Sequence, residues 1–111
     1  GLVDFIDVPQ DILDKVMQAS PYWVPFVIPA NTYKGQTNEV KTYASWNILG
    51  VKADLDEDLA YRMTKALFEN RADLTVVNSK MENLLPENAK YIMIPLHPGA
   101  EKYYKEIGAV K

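Results

Sequence analysis

Trp23-Val24-Pro25-Phe26-Val27-Ile28-Pro29-Ala30-Asn31-Thr32-Tyr33-Lys34-Gly35-Gln36 is the stretch on which the fold turns. Its first half is apolar, β-branched and aromatic, which predicts a strand over Trp23 to Ile28. Pro25 and Pro29 place that strand on a sheet edge or in a crossing between lobes, because proline donates no hydrogen bond to a ladder. The second half is polar and holds Gly35, so Ala30 to Val40 is expected as a loop.

Towards the N-terminus, Leu2-Val3-Asp4-Phe5-Ile6 alternates and is expected as a first strand. Asp7 is placed to cap a helix whose first turn accepts Pro9. Ile12, Leu13, Val16 and Met17 form one stripe at helical spacing, and Ser20-Pro21 ends the helix. Towards the C-terminus, Val40 to Val51 reads as two strands or one strand bent at Ser45-Trp46-Asn47. Asp54 or Asp56 then caps a helix running to about Asn70, with the stripe Leu59, Met63, Ala66 and Leu67. Asp56, Glu57 and Asp58 complement its dipole. One or two short helices are expected around Met81 to Leu85, followed by the apolar run Ile92-Met93-Ile94. Pro98 opens a last helix that Gly108 closes, with Tyr103, Tyr104 and Ile107 facing inward.

The expected order is β-α-β-β-α-α-α, an α/β class. Its first βαβ unit implies parallel pairing with a right-handed crossover. There is no internal repeat and no low-complexity tract. The 111 residues suit one small domain with a single core.

Composition excludes several functions. Net charge is −3, and basic residues are scattered or sit beside acids, as in Glu101-Lys102 and Lys105-Glu106. That argues against nucleic acid as a partner, since such proteins carry a basic face. The absence of cysteine removes disulfides, thiol catalysis and Cys-type zinc sites. The longest apolar run, Tyr22 to Ala30, is interrupted by two prolines and is far shorter than the roughly 20 residues of a spanning helix. The chain opens at Gly1 without a signal peptide or initiator Met, so a trimmed piece of a longer protein is expected and the native compartment is left open.

No catalytic template fits. HExxH, GxSxG, P-loop and GxGxxG patterns are absent. The one histidine, His97, stands before a helix in Pro95-Leu96-His97-Pro98 and is expected to cap that helix or bond a nearby carbonyl. The acids at 54 to 58 suit a helix N-terminus better than a metal site. No cofactor or metal is expected. The polar loop is the best place for a ligand: hydroxyls and amides on a rigid loop can orient a carboxylate or an amine. The candidate ligand-binding residues are Asn31, Thr32 and Tyr33, with Ser45 and Asn47 as secondary ones. A plain surface loop is the competing interpretation.

Three segments resemble one family. Ile28-Pro29-Ala30-Asn31-Thr32-Tyr33-Lys34-Gly35-Gln36 is similar to the Ile-Pro-Ala-Gly-Thr-Tyr-x-Gly-Gln stretch of TAXI-type TRAP-transporter solute receptors. Pro95-Leu96-His97-Pro98-Gly99-Ala100 resembles that family's C-terminal motif, and Asp54-Leu55 through Asn70 resembles the helix between them. The resemblance implies the C-terminal portion of a type II periplasmic-binding-protein fold. On that mapping residues 1–29 end the second lobe, 30–40 return the chain through the hinge, and 41–111 belong to the first lobe. It also implies capture of a small organic acid or amino acid outside the cytoplasm, delivery to TRAP membrane permease subunits, and no enzymatic chemistry. It supplies no residue-level ligand list.

Asn31 departs from the family's glycine. Asn is the best substitute at positive φ, so the turn is expected to survive. Two other functions compete: an enzyme on a similar fold, and a protein-interaction module anchored by Tyr22-Trp23-Val24. Self-association is expected of a chain separated from its covering lobe.

Overall fold

The computed structural model describes residues 4–111. Its helices and strands run in the order α1 (Gln10–Ala19), β1 (Val24–Ile28), β2 (Val40–Ala44), α2 (Glu57–Glu69), α3 (Arg71–Val77) and α4 (Pro98–Glu106), with short 3₁₀ turns at Ser79–Asn83 and Pro86–Tyr91 between α3 and α4. The class is mixed α/β, as expected, and the elements divide into two compact units, one ending at Asn47 and one spanning Ile48–Lys111.

In the first unit, β1 and β2 form an antiparallel pair with Val24 opposite Ala44 and Ile28 opposite Val40. Asp4, Phe5 and Ile6 are irregular rather than a strand, and Leu2 and Val3 lie outside the described residues. The expected parallel pairing is therefore not formed among the described residues. Asp7 does not cap α1 either. A cap must directly precede the first helical residue, and here that place is taken by Pro9, which offers no side-chain acceptor. Asp7 instead accepts the Lys41 N–H at 2.8 Å, while the Val8 N–H donates to the Lys41 carbonyl at 2.9 Å.

These two bonds show which residue pairs of the hairpin are hydrogen-bonded. Both backbone groups of Lys41 point away from β1, so Lys41 and Val27 form a non-hydrogen-bonded pair. Antiparallel alternation puts Pro25 and Tyr43 in the same class. The missing N–H of Pro25 thus faces the open edge of β1, where it costs the ladder nothing. Burial alternates cleanly along β2, from buried Val40 through exposed Lys41 and Tyr43. Among the described residues of this unit, Leu13 of α1, Val24 and Val40 are the buried apolar ones. The extended stretch expected to reach Val51 ends at Ala44, and residues 45 to 51 are irregular.

The second unit is built on α2 and α4. Asp56 caps α2 by accepting the Leu59 N–H at 2.8 Å, with Glu57 and Asp58 in the first turn. The face of α2 that meets α4 carries Ala60, Tyr61 and Phe68: Ala60 is buried, and the rings of Tyr61 and Phe68 lie 5.8 and 5.7 Å from that of buried Tyr103. The stripe Met63, Ala66 and Leu67 lies elsewhere. With Leu49, Asn70 and Leu74 it lines an open apolar groove of about 390 Å³. A helix with apolar residues on two faces leaves the choice of inner face to its partner. Gly108 closes α4 at φ 70°, its N–H bonded to the Lys105 carbonyl and that of Ala109 to the Tyr104 carbonyl. This is the Schellman pattern of two bonds back into the last turn.

Candidate functional site

The turn between β1 and β2 is organised by one side chain, Gln36. It is 8% exposed, and its carboxamide is fully engaged. Nε2 donates to the carbonyls of Pro29 at 3.1 Å and Asn38 at 2.8 Å, while Oε1 accepts the Tyr33 N–H at 3.2 Å. The Asn38 carbonyl and the Tyr33 N–H, which the chain reversal would otherwise strand, are thereby paired, and the Pro29 carbonyl gains a donor besides Thr32. The backbone adds its own bonds, Asn31 N–H to the Gln36 carbonyl at 2.9 Å and Gln36 N–H to the Tyr33 carbonyl at 3.1 Å.

On this frame Asn31 stands at φ 64° and Gly35 at φ 86°, both in the left-handed region. Asn tolerates that region better than other residues with a Cβ, so the turn keeps its shape where the resembled motif has glycine. The Thr32 hydroxyl is turned inward and donates to the Pro29 carbonyl at 2.6 Å. That leaves Thr32 to brace the turn, with its hydroxyl proton already committed. Tyr33 stacks on Phe5, centroids 5.0 Å apart and planes 20° from parallel. Asn31 and Tyr33 are exposed.

The structure thus brings Asn31, Thr32 and Tyr33 onto one braced turn. Ser45 and Asn47 lie in the same unit, exposed in the irregular stretch after β2. A groove of about 270 Å³ beside α1 and the hairpin is lined by residues such as Leu13, Pro25, Lys41 and Thr42, and by none of the five candidates. Sequence reasoning overlooked Gln36 and Phe5. Gln36 stood in the quoted motif, at the spacing that closes the turn. Phe5 gave no signal, because its partner is distant in sequence.

His97 is occupied at both ring nitrogens. Nδ1 accepts the Gly99 N–H at 3.2 Å and caps α4, while Nε2 lies 2.9 Å from the Leu55 carbonyl. A carbonyl only accepts and an N–H only donates, so the ring is neutral with its proton on Nε2. It does both things expected of it, and neither nitrogen is free to act as a base. Beside it Gly99 lies against α2 so closely that a Cβ there would overlap the Glu57 carbonyl oxygen and sit 2.7 Å from the Tyr61 nitrogen.

A second polar cluster lies on α2 and α4. The Tyr61 hydroxyl donates to Glu106 at 2.6 Å, and Lys65 and Lys102 hold their ammonium groups 5.8 and 5.3 Å from the Tyr61 ring centre. The hydrogen bond to Glu106 raises the Tyr61 hydroxyl above its ordinary pKa, and burial raises those of Tyr103 and Tyr104. Among the described residues no three His, Asp or Glu side chains converge as metal ligands.

These features define a mixed α/β protein with an exposed polar turn fixed from within by a buried carboxamide. The chain belongs to the NMT1-like family, which it matches over residues 2–108. That family includes the TAXI-type TRAP solute receptors, so the resemblance seen in the three motifs holds. It is a family of solute-binding proteins, which as a rule work outside the cytoplasm. Among the described residues no helix is long and apolar enough to cross a membrane.

Proposed function

We propose that this chain takes part in capturing a small organic acid or amino acid as the TAXI-type receptor component of a TRAP transporter, for delivery to a membrane permease outside the cytoplasm. The observation that carries this function is the turn at 29–36. Gln36 fixes its backbone before any ligand arrives, so the backbone that carries Asn31 and Tyr33 needs no further ordering. Ser45 and Asn47 are secondary ligand contacts in this scheme. Residues 1–29 end one lobe, 30–40 serve as the hinge, and 41–111 belong to the other lobe. Closure then shifts an open–closed equilibrium by the ligand's differential affinity for the two forms, and no covalent chemistry is involved.

Self-association of the isolated chain accompanies this function. Ile6, Leu49, Val76 and Val77 are 66 to 87% exposed. Sedimentation velocity should show a concentration-dependent species larger than the monomer, and a monomer at all concentrations overturns that expectation.

The test of capture is a thermal shift of the full-length protein against dicarboxylates, 2-oxoacids and amino acids. A ligand at 100 times its Kd stabilises by about 2.7 kcal/mol through mass action. A shift with one class, weakened by Asn31→Ala or Tyr33→Ala, supports capture at this turn. No shift with any solute overturns it, and turnover of a test ester would favour an enzyme instead.

A further inference from the structure

Two aromatic rings stand together on the surface of the first unit. Phe5, from the irregular segment before α1, stacks on Tyr33 at 5.0 Å and 20°. Both remain about half exposed, 47% and 52%. Large rings usually supply core, where their burial contributes most. Here the stacked pair leaves apolar surface in water on a turn that is otherwise polar. Phe5 has a second effect: it holds the Tyr33 ring in one orientation, so a solute meeting that ring does not have to order it.

We propose that Phe5 is a positioning residue for the ligand turn, and that the Phe5–Tyr33 stack selects solutes with an apolar or aromatic body and a single carboxylate over compact dicarboxylates. The selection rests on the solute-capture function above and narrows it. The ring surface covers the apolar body. The Asn31 carboxamide and the Tyr33 hydroxyl take the polar head. Lys34 is the one charged residue between Pro29 and Gln36, which matches one carboxylate and not two. A compact dicarboxylate has no body to lay on the rings and would lose hydration at a second charge that this turn does not pair.

The experiment is calorimetric titration of the full-length protein with phenylpyruvate and with succinate. Wild type is compared with Phe5→Ala, Phe5→Leu, Phe5→Trp and Tyr33→Ala. Phenylpyruvate should bind more tightly than succinate. Phe5→Ala and Phe5→Leu should weaken it roughly tenfold, the upper end of what a stacked aromatic pair contributes, and Phe5→Trp should restore it. The Tyr33 ring protons should move towards random-coil shifts in ligand-free Phe5→Ala, with the fold otherwise intact by backbone amide shifts. Four results overturn the inference and leave solute capture standing: succinate binding tighter than phenylpyruvate, wild-type affinity in Phe5→Ala, wild-type affinity in Tyr33→Ala, or unmoved Tyr33 ring shifts. Binding of neither probe nor of any 2-oxoacid, dicarboxylate or amino acid overturns both.

Discussion

Gln36 shows how one side chain sets a turn. Its three hydrogen bonds need one acceptor and two donors, a set that only a carboxamide carries at that length. Gln36→Glu keeps the shape and removes both donors, setting a carboxylate against the Pro29 and Asn38 carbonyls. It should destabilise the protein by about 2 kcal/mol and by at least as much as Gln36→Ala, because an unpaired buried group is costlier than an absent one. Urea unfolding of the two variants checks this, and a Glu variant as stable as wild type would show that the network is dispensable. Gly99 makes a stricter demand. Gly99→Ala would push a methyl into the Glu57 carbonyl and should cost about 3 kcal/mol or displace α4, read as a lowered urea midpoint and lost near-ultraviolet signal. Gln36 and Gly99 both stood in motifs visible in the sequence. What each one does was not visible, because Gln36 acts through the folded path of its own turn and Gly99 through its close approach to α2.

At the scale of elements, end signals were the most legible feature. Asp56 caps α2, Pro98 and His97 open α4, and Gly108 closes it, each as its residue type implies. Such signals act within one turn of backbone, so local sequence suffices. Gly108→Ala should cost about 1 kcal/mol, the steric cost of a Cβ at positive φ, and should leave the rest of α4 in place. Unchanged stability on thermal melting would contradict the strain assigned there. Elements whose definition needs a partner were less legible. Phe5 and Ile6 have strand-like chemistry but form no strand among the described residues. Asp7 looked like a cap and became a bond to β2, because Lys41 presents an outward N–H there. The Leu59-to-Leu67 stripe looked like an inner face, yet three of its residues line an open groove.

At the scale of the molecule, the α2–α4 face couples folding to alkaline pH. The folded state raises the pKa values of Tyr61, through its bond to Glu106, and of Tyr103 and Tyr104, through burial. The unfolded chain therefore releases these protons first as pH rises. Stability from this source is complete below the ordinary tyrosine pKa of about 10 and is lost as pH climbs through the higher folded values. Tyrosinate absorbance at high pH should show late-titrating groups, with one component lost in Tyr61→Phe and another in Tyr104→Phe. Urea midpoints should fall as pH passes 10. Titration of all tyrosines together at the ordinary value would remove the coupling. The two compact units are each legible in part: the first from its proline-flanked strand, the second from its capped helices.

By itself the sequence determined the α/β class, the caps and stops of α2 and α4, the tolerance of Asn31 for a left-handed turn, and membership of a solute-binding family. All of these follow from local backbone preference or from motifs that carry their own spacing. Only the tertiary structure decided the antiparallel pairing, the inner face of α2, the bond from His97 Nε2 to the Leu55 carbonyl, and the placing of Phe5 against Tyr33. Each of these is a contact between different segments of the chain, and neither segment specifies its partner alone.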